Sequence, residues 1–353
     1  MDMSLWGWNE GWEAAAAPYP AFTAARVISQ EKGLYRVVHA QGEQSAVTSG
    51  KYRYEARRPE DYPAAGDFVL LEPGDGGGSA VIHSLLPRKS VFIRKTSGTA
   101  LGGQVVAANV DLAFICMSLN SDFNLRRLER YLSLTWESGA TPVILLTKAD
   151  LCREREEMKA AAAARAAGAE VLVTSSLEKE GCATVLPYLV PGRTVALLGS
   201  SGVGKSTLLN LLLGREQSKT NGLRSDGRGR HTTTRRQLFL LPGGAMVIDT
   251  PGMRELGLWQ ADAGLERTFT DVEALITACR FRNCTHGGEP GCAVRSALED
   301  GSLSGERWAS YQKLHTENAR VAGGDGYLAA KELKFKAIAK RNKANRKDRG
   351  DFD

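Results

Sequence analysis

The sequence has few of the features that mark secreted and membrane proteins. Its 353 residues include only six cysteines, and no apolar run approaches the roughly 20 residues that a helix needs to cross a bilayer. The first residues carry acidic side chains among tryptophans and lack the basic start and apolar core of a signal peptide. We therefore expect a cytoplasmic protein whose cysteines are reduced thiols or metal ligands and do not form a disulfide framework.

The net positive charge of the chain is small and comes from one end of the sequence. The whole sequence carries a net charge of +6, whereas residues 331–349 alone contribute +7, from nine Lys or Arg and two acidic residues, so the rest sums to −1. A basic tail favours a polyanionic partner, and a merely solubilising tail is the alternative. With 42% hydrophobic residues, the chain is long enough for two or three domains with their own cores.

A glycine-rich segment follows the apolar run at 195–198 and precedes a run of leucines. Its spacing, G-x-x-x-x-G-K-S, is that of a phosphate-binding loop, in which glycines let backbone N–H groups approach a polyphosphate at the positive end of a helix. Lys205 can reach the β- and γ-phosphates, and Ser206 can ligate Mg²⁺. An ordinary glycine-rich turn is the alternative. The predicted nucleotide contacts are Gly199, Ser200, Ser201, Gly202, Val203, Gly204, Lys205, Ser206 and Thr207.

The pattern of apolar residues predicts two architectures along the chain. From residue 21 to 95, five short strands separated by polar or glycine-containing turns favour a small barrel of the OB type. After a linker at 96–109, strands and helices alternate, which indicates a parallel α/β sheet with ligand groups at the carboxyl ends of its strands. The bend at 51–58 interleaves aromatic and basic residues, as a single-stranded nucleic-acid surface would, although a solvated loop would look similar.

Two segments that follow predicted strands can read a nucleotide base. The Asp150 carboxylate can accept hydrogen bonds from both the ring N–H and the exocyclic amine of guanine, a pair that adenine does not offer. The apolar stem of Lys148 can lie across the base, and a backbone N–H at 175–176 can meet the guanine carbonyl. An ordinary surface Lys–Asp pair is the alternative for 147–150. The predicted base contacts are Thr147, Lys148, Asp150, Ser175 and Ser176.

A third strand end, at 249–252, carries the sequence D-x-x-G. Asp249 can hold Mg²⁺ directly or through water, and the backbone N–H of Gly252 suits contact with the γ-phosphate. In the polar segment 216–236, Thr233 is the predicted partner of Mg²⁺ and the γ-phosphate, with Thr232 and Thr234 as near alternatives. A nucleotide that binds here is therefore predicted to bind together with Mg²⁺.

The order of these segments is unusual. In a common GTPase the phosphate loop comes first and the base-reading segments come last, whereas here 147–150 and 175–176 precede 199–206. All the parts are present but rotated along the chain. A circular permutation explains this order, because natural termini commonly lie close together and can be joined.

This combination resembles the circularly permuted ribosome-biogenesis GTPases of the small-ribosomal-subunit-dependent GTPase A (RsgA) type. The resemblance covers nearly the whole chain and rests on the barrel, 147–150, 199–206, the switch segment 229–234 and a cysteine cluster. It implies a GTP hydrolase that uses GTP/GDP, Mg²⁺ and Zn²⁺ and binds the 30S subunit and its 16S rRNA late in maturation. It further implies faster hydrolysis on the subunit, coupled to release. A GTP-binding rRNA scaffold with negligible turnover is the alternative.

The cysteine cluster has the spacing C-x₄-C-x-H-x₅-C. Three thiolates and an imidazole satisfy tetrahedral Zn²⁺, and because no open or acidic ligand is obvious the site is predicted to be structural. Reduced core cysteines are the alternative. The predicted zinc ligands are Cys279, Cys284, His286 and Cys292.

The group that orients the attacking water is the least defined part of the predicted site. Ras-like enzymes use a glutamine after D-x-x-G, but here that position is Met253, which cannot do so. His231 is the candidate replacement, acting with Lys205 and Thr233. Because His231 lies in a basic segment, contact with RNA phosphate is the alternative role.

The fold predicted from these observations is multidomain α/β, with the chain acting as a monomer away from membranes. We expect its lead-in tryptophans to pack on a neighbouring domain. The predicted units are a lead-in at 1–20, an OB-type RNA-binding barrel at 21–95, a circularly permuted P-loop GTPase domain at 96–258, a helical zinc-binding domain at 259–330 and a basic tail at 331–353.

Overall fold

The structure is a computed structural model, and it describes residues 1–31, 33–75, 78–95, 103–175, 183–214, 236–249 and 261–322. Strands β1 to β13 and helices α1 to α9 are numbered in chain order within these ranges. None of the helices found there combines the length and apolar character needed to span a bilayer.

Five strands close into a barrel in the order β1-β2-β3-β5-β4, with β4 returning to β1. A bulge between Val27 and Ser29 divides β1 into two parts. Before the bulge β1 pairs with β4, and beyond it Ser29 and Gln30 pair with a strand of the second unit. The five predicted barrel strands are confirmed. Their bounds are Thr23–Glu31 (β1), Leu34–His39 (β2), Gly42–Thr48 (β3), Phe68–Glu72 (β4) and Ala80–Leu85 (β5).

The second unit is built on parallel strands in the order β10-β9-β8-β11-β13, with β12 antiparallel at the side that meets β1. The central strands are apolar throughout, because helices cover both faces of a parallel sheet. Their bounds are Leu112–Ser118 (β8), Thr141–Thr147 (β9), Glu170–Val173 (β10), Thr194–Leu198 (β11), Arg236–Leu240 (β12) and Met246–Asp249 (β13). The associated helices are Leu125–Ser138 (α3), Arg155–Ala163 (α4) and Lys205–Leu213 (α5), with a 3₁₀ helix at Ala183–Tyr188.

Two parts of the barrel region differ from the sequence prediction. Residues 103–108, expected within a linker, form β7 (Gly103–Ala108), which pairs with β6 (Val91–Lys95) as a two-stranded ribbon. The bend expected at 51–58 is largely helical, as α2 (Gly50–Glu55), because Ser49 caps its first turn. Tyr52 is buried and donates to the carbonyl oxygen of Asp61, whereas Tyr54 is 91% exposed. Half of the aromatic pattern there is therefore core.

The lead-in packs on the rest of the molecule, as expected. It contains a 3₁₀ helix at Ser4–Trp6 and α1 (Glu10–Ala16), and Trp6 and Trp12 are buried. The side chain of Arg26 is fully buried where the lead-in, the barrel and the sheet meet. It donates to the Trp6 carbonyl oxygen, to Thr194 Oγ1 at 2.7 Å and to the Gly66 carbonyl oxygen at 3.2 Å. Burial lowers the pKa of Arg26 to about 10.

The C-terminal part is helical and rests on α3. Its helices are Asp262–Thr268 (α6), Thr270–Thr277 (α7), Ala293–Glu299 (α8) and Gly305–Ala322 (α9). Glu129 of α3 is fully buried and binds Arg165 Nη1 at 2.8 Å and Arg307 Nη1 at 2.7 Å. Arg307 also forms an ion pair with Asp271 of α7. A buried ionic cluster therefore joins α9 to the helix that follows β8.

Candidate nucleotide-binding site and metal centre

The predicted phosphate loop lies between β11 and α5. Gly199, Gly202 and Gly204 all have positive φ angles, of 137°, 75° and 99°. A Cβ atom at Gly199 would lie 2.3 Å from the Cys116 carbonyl oxygen, so the loop requires glycine there. Lys205 Nζ lies over the loop and donates to the Gly199 carbonyl oxygen at 2.7 Å and to that of Ser200 at 2.5 Å. The ammonium group is thus already held where a polyphosphate would bind.

The predicted base-reading segment 147–150 and the predicted phosphate loop are in direct contact, although the two residues that touch, Thr147 and Val203, are 56 positions apart. Thr147 is buried at the end of β9, and its Oγ1 donates to the Val203 carbonyl oxygen at 2.7 Å. Lys148 then adopts a left-handed conformation with φ of 58°, which turns the chain at the strand end. Because β8, β9 and β11 are parallel neighbours, their carboxyl ends bring these segments to one edge.

Asp150 is exposed at this edge, and Ser175 Oγ donates to its Oδ1 at 2.5 Å. Ser175 itself is buried at the end of the neighbouring strand β10. The hydroxyl of Ser175 therefore orients the Asp150 carboxylate. The sequence predicted only a backbone contact for this residue. The other carboxylate oxygen of Asp150 has no hydrogen bond recorded among the described residues. The arrangement can present a fixed acceptor to a base.

Asp249 ends β13 next to the phosphate loop, where a magnesium ligand is expected. Burial raises the pKa of Asp249, and the Lys205 ammonium opposes that rise. A desolvated carboxylate beside a single ammonium is stabilised by a further cation, so Asp249 suits Mg²⁺. Ser206, in the first turn of α5, is exposed and can supply a hydroxyl ligand. Residues Ser176, His231, Thr232, Thr233, Thr234, Gly252 and Met253 lie outside the described residues.

Asp122 is a member of this site that the sequence motifs missed. It lies in the turn between β8 and α3, and its Oδ2 accepts a hydrogen bond from Ser200 Oγ of the phosphate loop. Arg127 of α3 binds the other oxygen, Oδ1, at 2.8 Å. The available signal was position: Asp122 follows a strand of the same parallel sheet, as Asp150 and Asp249 do.

The four predicted zinc ligands converge, with all their ligand atoms within 4.8 Å of one another. His286 Nδ1 lies 3.6 Å from Cys279 Sγ and 3.4 Å from Cys292 Sγ, and the two sulfur atoms are 4.0 Å apart. A tetrahedral zinc ion with ordinary Zn–S and Zn–N bonds has ligand separations of about 3.5–3.8 Å. The donor set and spacing therefore fit Zn²⁺.

Glu289 holds the loop that carries His286, a predicted zinc ligand. Its carboxylate accepts from the Thr285 backbone N–H and hydroxyl, and from the N–H groups of Gly287 and Gly288. These hydrogen bonds, led by the Thr285 hydroxyl, lower the pKa of Glu289 to about 2. The loop also turns at His286, which has a φ of 59°. The carboxylate of Glu289 thus holds the backbone on both sides of His286.

Comparison with known proteins gives consistent matches. Residues 85–259 match the model of a family described as RsgA GTPase. A Lactiplantibacillus plantarum protein named small ribosomal subunit biogenesis GTPase RsgA 2 is 50% identical over 83% of this chain and 82% of its own length. The corresponding protein of Opitutus terrae, with the same name but no number, is 45% identical over 91% of each chain.

Two solved structures resemble the fold. YjeQ from Thermotoga maritima has a TM-score of 0.61 and 25% identity, over 86% of this chain and 99% of that one. YloQ, described as a circularly permuted GTPase, has a TM-score of 0.58 and 24% identity, over 84% and 94%. Together with the closed barrel and the Cys/His cluster, these matches confirm the predicted fold class.

Proposed function

This chain belongs to the RsgA GTPase family, and we propose that it hydrolyses GTP on the small ribosomal subunit during late maturation of that subunit. Relatives from several organisms carry the name small ribosomal subunit biogenesis GTPase. In this proposal the subunit stimulates hydrolysis, and the resulting GDP form leaves it. The protein acts as a cytoplasmic monomer whose barrel and C-terminal part contact 16S rRNA.

One observation carries the nucleotide chemistry: Thr147 Oγ1 donates to the Val203 carbonyl oxygen at 2.7 Å. This bond fixes the distance between the guanine-reading end of the site and its phosphate-binding end. A ligand that satisfies both ends is a guanine nucleotide carrying a polyphosphate. Asp150, held by Ser175, selects guanine over adenine.

The chain's own residues bind and orient the triphosphate and stabilise its negative charge. Backbone N–H groups of 199–206 surround the phosphates, and Lys205 neutralises charge that develops on the transferred group. Ser206 and Asp249, with Thr233, would hold Mg²⁺, which when bound neutralises phosphate oxygens and aligns the γ-phosphate. Gly252 would contact that phosphate through its backbone N–H.

We assign the orientation of the attacking water to His231. A thioether at position 253 neither accepts a proton nor directs a water molecule, so the usual glutamine role has to be filled from another segment. The nearby Thr233 would order the same segment when GTP is bound. Zinc, as one structural ion on Cys279, Cys284, His286 and Cys292, would stabilise the C-terminal part.

The test is turnover of GTP by the purified full-length protein, alone and with 30S subunits, with ATP as the control nucleotide. We expect slow GTP turnover that 30S subunits accelerate, no turnover of ATP, and loss of the acceleration in His231→Ala. Turnover that ignores 30S subunits would refute the ribosomal part of the proposal. A rate near zero under all conditions would favour a GTP-binding rRNA scaffold.

A further inference from the structure

A cleft of about 390 Å³ lies between the barrel and the β6–β7 ribbon, apart from the nucleotide-binding edge. One wall is the connection from α2 to β4, residues 56–64, and the opposite wall contains Gln30 of β1 and Gln104 of β7. No residue of β2 or β3 lines it, although those strands form the face by which OB barrels generally bind oligonucleotides. The cleft is therefore distinct from the nucleotide-binding edge and from the β2–β3 face, and it includes the last residues of the bend 51–58.

The charge of the cleft is positive. Arg57 and Arg58 line it and are exposed, and neither is part of an ion pair among the described residues. Two acidic residues follow the arginines closely in sequence: Glu60 accepts from the backbone N–H of Gly103, and Asp61 Oδ2 accepts from the backbone N–H groups of both arginines, each at 2.9 Å. This turn fixes the backbone of the two arginines and leaves their guanidinium groups available. Two adjacent guanidinium groups are suited to a phosphate.

The remaining lining suits a nucleobase. Gln30 and Gln104 line the cleft with carboxamides; the Gln30 side chain bonds to Tyr35 and Gln104 Oε1 accepts from Arg236, and each group keeps further donor or acceptor capacity for a base. Tyr62 offers an aromatic ring. Unpaired RNA bases are recognised by such a combination of stacking and hydrogen bonds to their edges. The volume lies near the lower limit of about 300 Å³ for ligand sites, which admits one nucleotide and excludes a duplex.

The same wall holds the strand that follows the predicted switch segment. Arg236, the first residue of β12, donates through Nη2 to Gln104 Oε1 at 2.9 Å and through Nη1 to the Val105 carbonyl oxygen at 3.0 Å. Gln30 is the register partner of Arg236 in the β1–β12 pairing. A ligand in the cleft would therefore contact residues that anchor the strand leading out of 215–235.

We propose that this cleft binds one unpaired nucleotide of ribosomal RNA, with its phosphate on Arg57 and Arg58 and its base beside Tyr62, Gln30 and Gln104. The proposal rests on the proposed ribosomal function and adds a site to it. Because Gln104 also binds Arg236, RNA bound there acts on the strand next to the nucleotide switch. Occupation of the cleft is thus a means for the subunit to influence GTP turnover.

The first test measures binding of a short fluorescent single-stranded oligoribonucleotide to the full-length protein loaded with GDP. We compare Arg57→Ala/Arg58→Ala with Arg126→Ala/Arg155→Ala, which removes two exposed arginines on α3 and α4 and lowers the net charge equally. We expect about a tenfold weaker affinity for the cleft variant only. The slope of log affinity against log salt should fall by about 0.7 for each lost phosphate contact. Equal losses in both variants, or no binding by the wild type, would overturn the proposal.

A second measurement locates the RNA. Crosslinking of an oligonucleotide containing 4-thiouridine should label peptides within 56–64 or 103–105, and Tyr62→Phe should retain binding that Tyr62→Leu weakens. Crosslinks confined to other segments would refute an RNA site here. Failure of the ribosomal function is read separately, from wild-type GTP turnover with 30S subunits. If the wild type is stimulated and the cleft variant equally so, the link to the switch is wrong.

Discussion

Asp122 shows how one carboxylate can prepare the phosphate loop before a nucleotide binds. It accepts from Ser200 in the loop, and Arg127 compensates its negative charge on the other side. A carboxylate near a polyphosphate would otherwise repel it, because the two charges have the same sign. The pairing with Arg127 therefore lets Asp122 serve as an anchor.

We predict that Asp122→Ala weakens GDP affinity by about fivefold, the equivalent of about 1 kcal/mol for one lost hydrogen bond. Asp122→Asn should retain most of the affinity, because an amide oxygen can still accept from Ser200. Titration with a fluorescent GDP analogue measures both variants, and Glu156→Ala on α4 serves as an exposed acidic control. Tighter GDP binding by the alanine variant would mean that repulsion outweighs anchoring.

The glycines and the motif residues of the nucleotide site were predictable because their chemistry depends on local spacing. Gly199, for example, has to lack a Cβ because the Cys116 carbonyl oxygen occupies that space. The contact of Ser200 with Asp122 was not predictable by motif, because the two residues are 78 positions apart in sequence. They meet because the strands that precede them, β8 and β11, are neighbours in the sheet. The placement of Thr233 and His231 stays a prediction.

At the scale of elements, the two predicted architectures follow one another along the chain as expected. The five short barrel strands lie between residues 21 and 95, and the apolar run at 195–198 forms most of the strand Thr194–Leu198. Sequence patterns failed where tertiary contacts decide. Residues 50–55 form a helix because Ser49 caps it and Tyr52 is buried, although the pattern of aromatic and basic residues indicated a surface bend. Likewise, the segment 96–109 was predicted to be a linker, but its residues 103–108 form the strand β7, which pairs with β6.

The element that connects the nucleotide site to the C-terminal helices is α3. Its first turn carries Arg127, which binds Asp122 beside the phosphate loop. Two and three residues later, Glu129 binds Arg307 and Arg130 binds Glu317, both on α9. A displacement of the loop after β8 would therefore be transmitted to α9 through α3. This is a spatial link, and the contribution of its ionic cluster to stability can be measured.

We predict that Arg307→Leu lowers the free energy of unfolding by about 3 kcal/mol, because Glu129 and Asp271 lose a shared partner and Glu129 has no access to water. Equilibrium urea unfolding gives the difference. The matched control is Arg295→Ala on α8, whose pair with Glu299 is more than half exposed and should contribute almost nothing. Equal stability of Arg307→Leu and the wild type would show that Arg165 and the Ser310 hydroxyl satisfy Glu129 without Arg307.

At the scale of the whole molecule, the barrel and the GTPase sheet share an unbroken series of strands. The junction is the β1–β12 pairing, reinforced by Arg26, whose side chain contacts the lead-in, the barrel and β11. β12 is also the strand that follows the predicted switch segment. In sequence, the predicted switch segment therefore leads directly into the strand that pairs with the barrel.

Removal of zinc should act on the C-terminal part of the molecule. We predict one zinc ion per chain by metal analysis, and loss of hydrogen-exchange protection in 279–292 after chelation, because the metal would join four side chains of this loop to one point. Cys284→Ser should reproduce the loss, whereas Cys152→Ser, outside the cluster, should not. Unchanged protection in metal-free protein would show that Glu289 and the core alone maintain the loop.

The central claim is that this site, reading guanine through Asp150, hydrolyses its nucleotide in response to the small subunit. The most direct measurement is 30S-stimulated turnover of GTP and of xanthosine triphosphate by the wild type and by Asp150→Asn. We predict stimulated GTP turnover in the wild type and stimulated xanthosine triphosphate turnover in the variant, because the amide pairs with the xanthine edge. Stimulated GTP turnover that survives in Asp150→Asn would contradict the account.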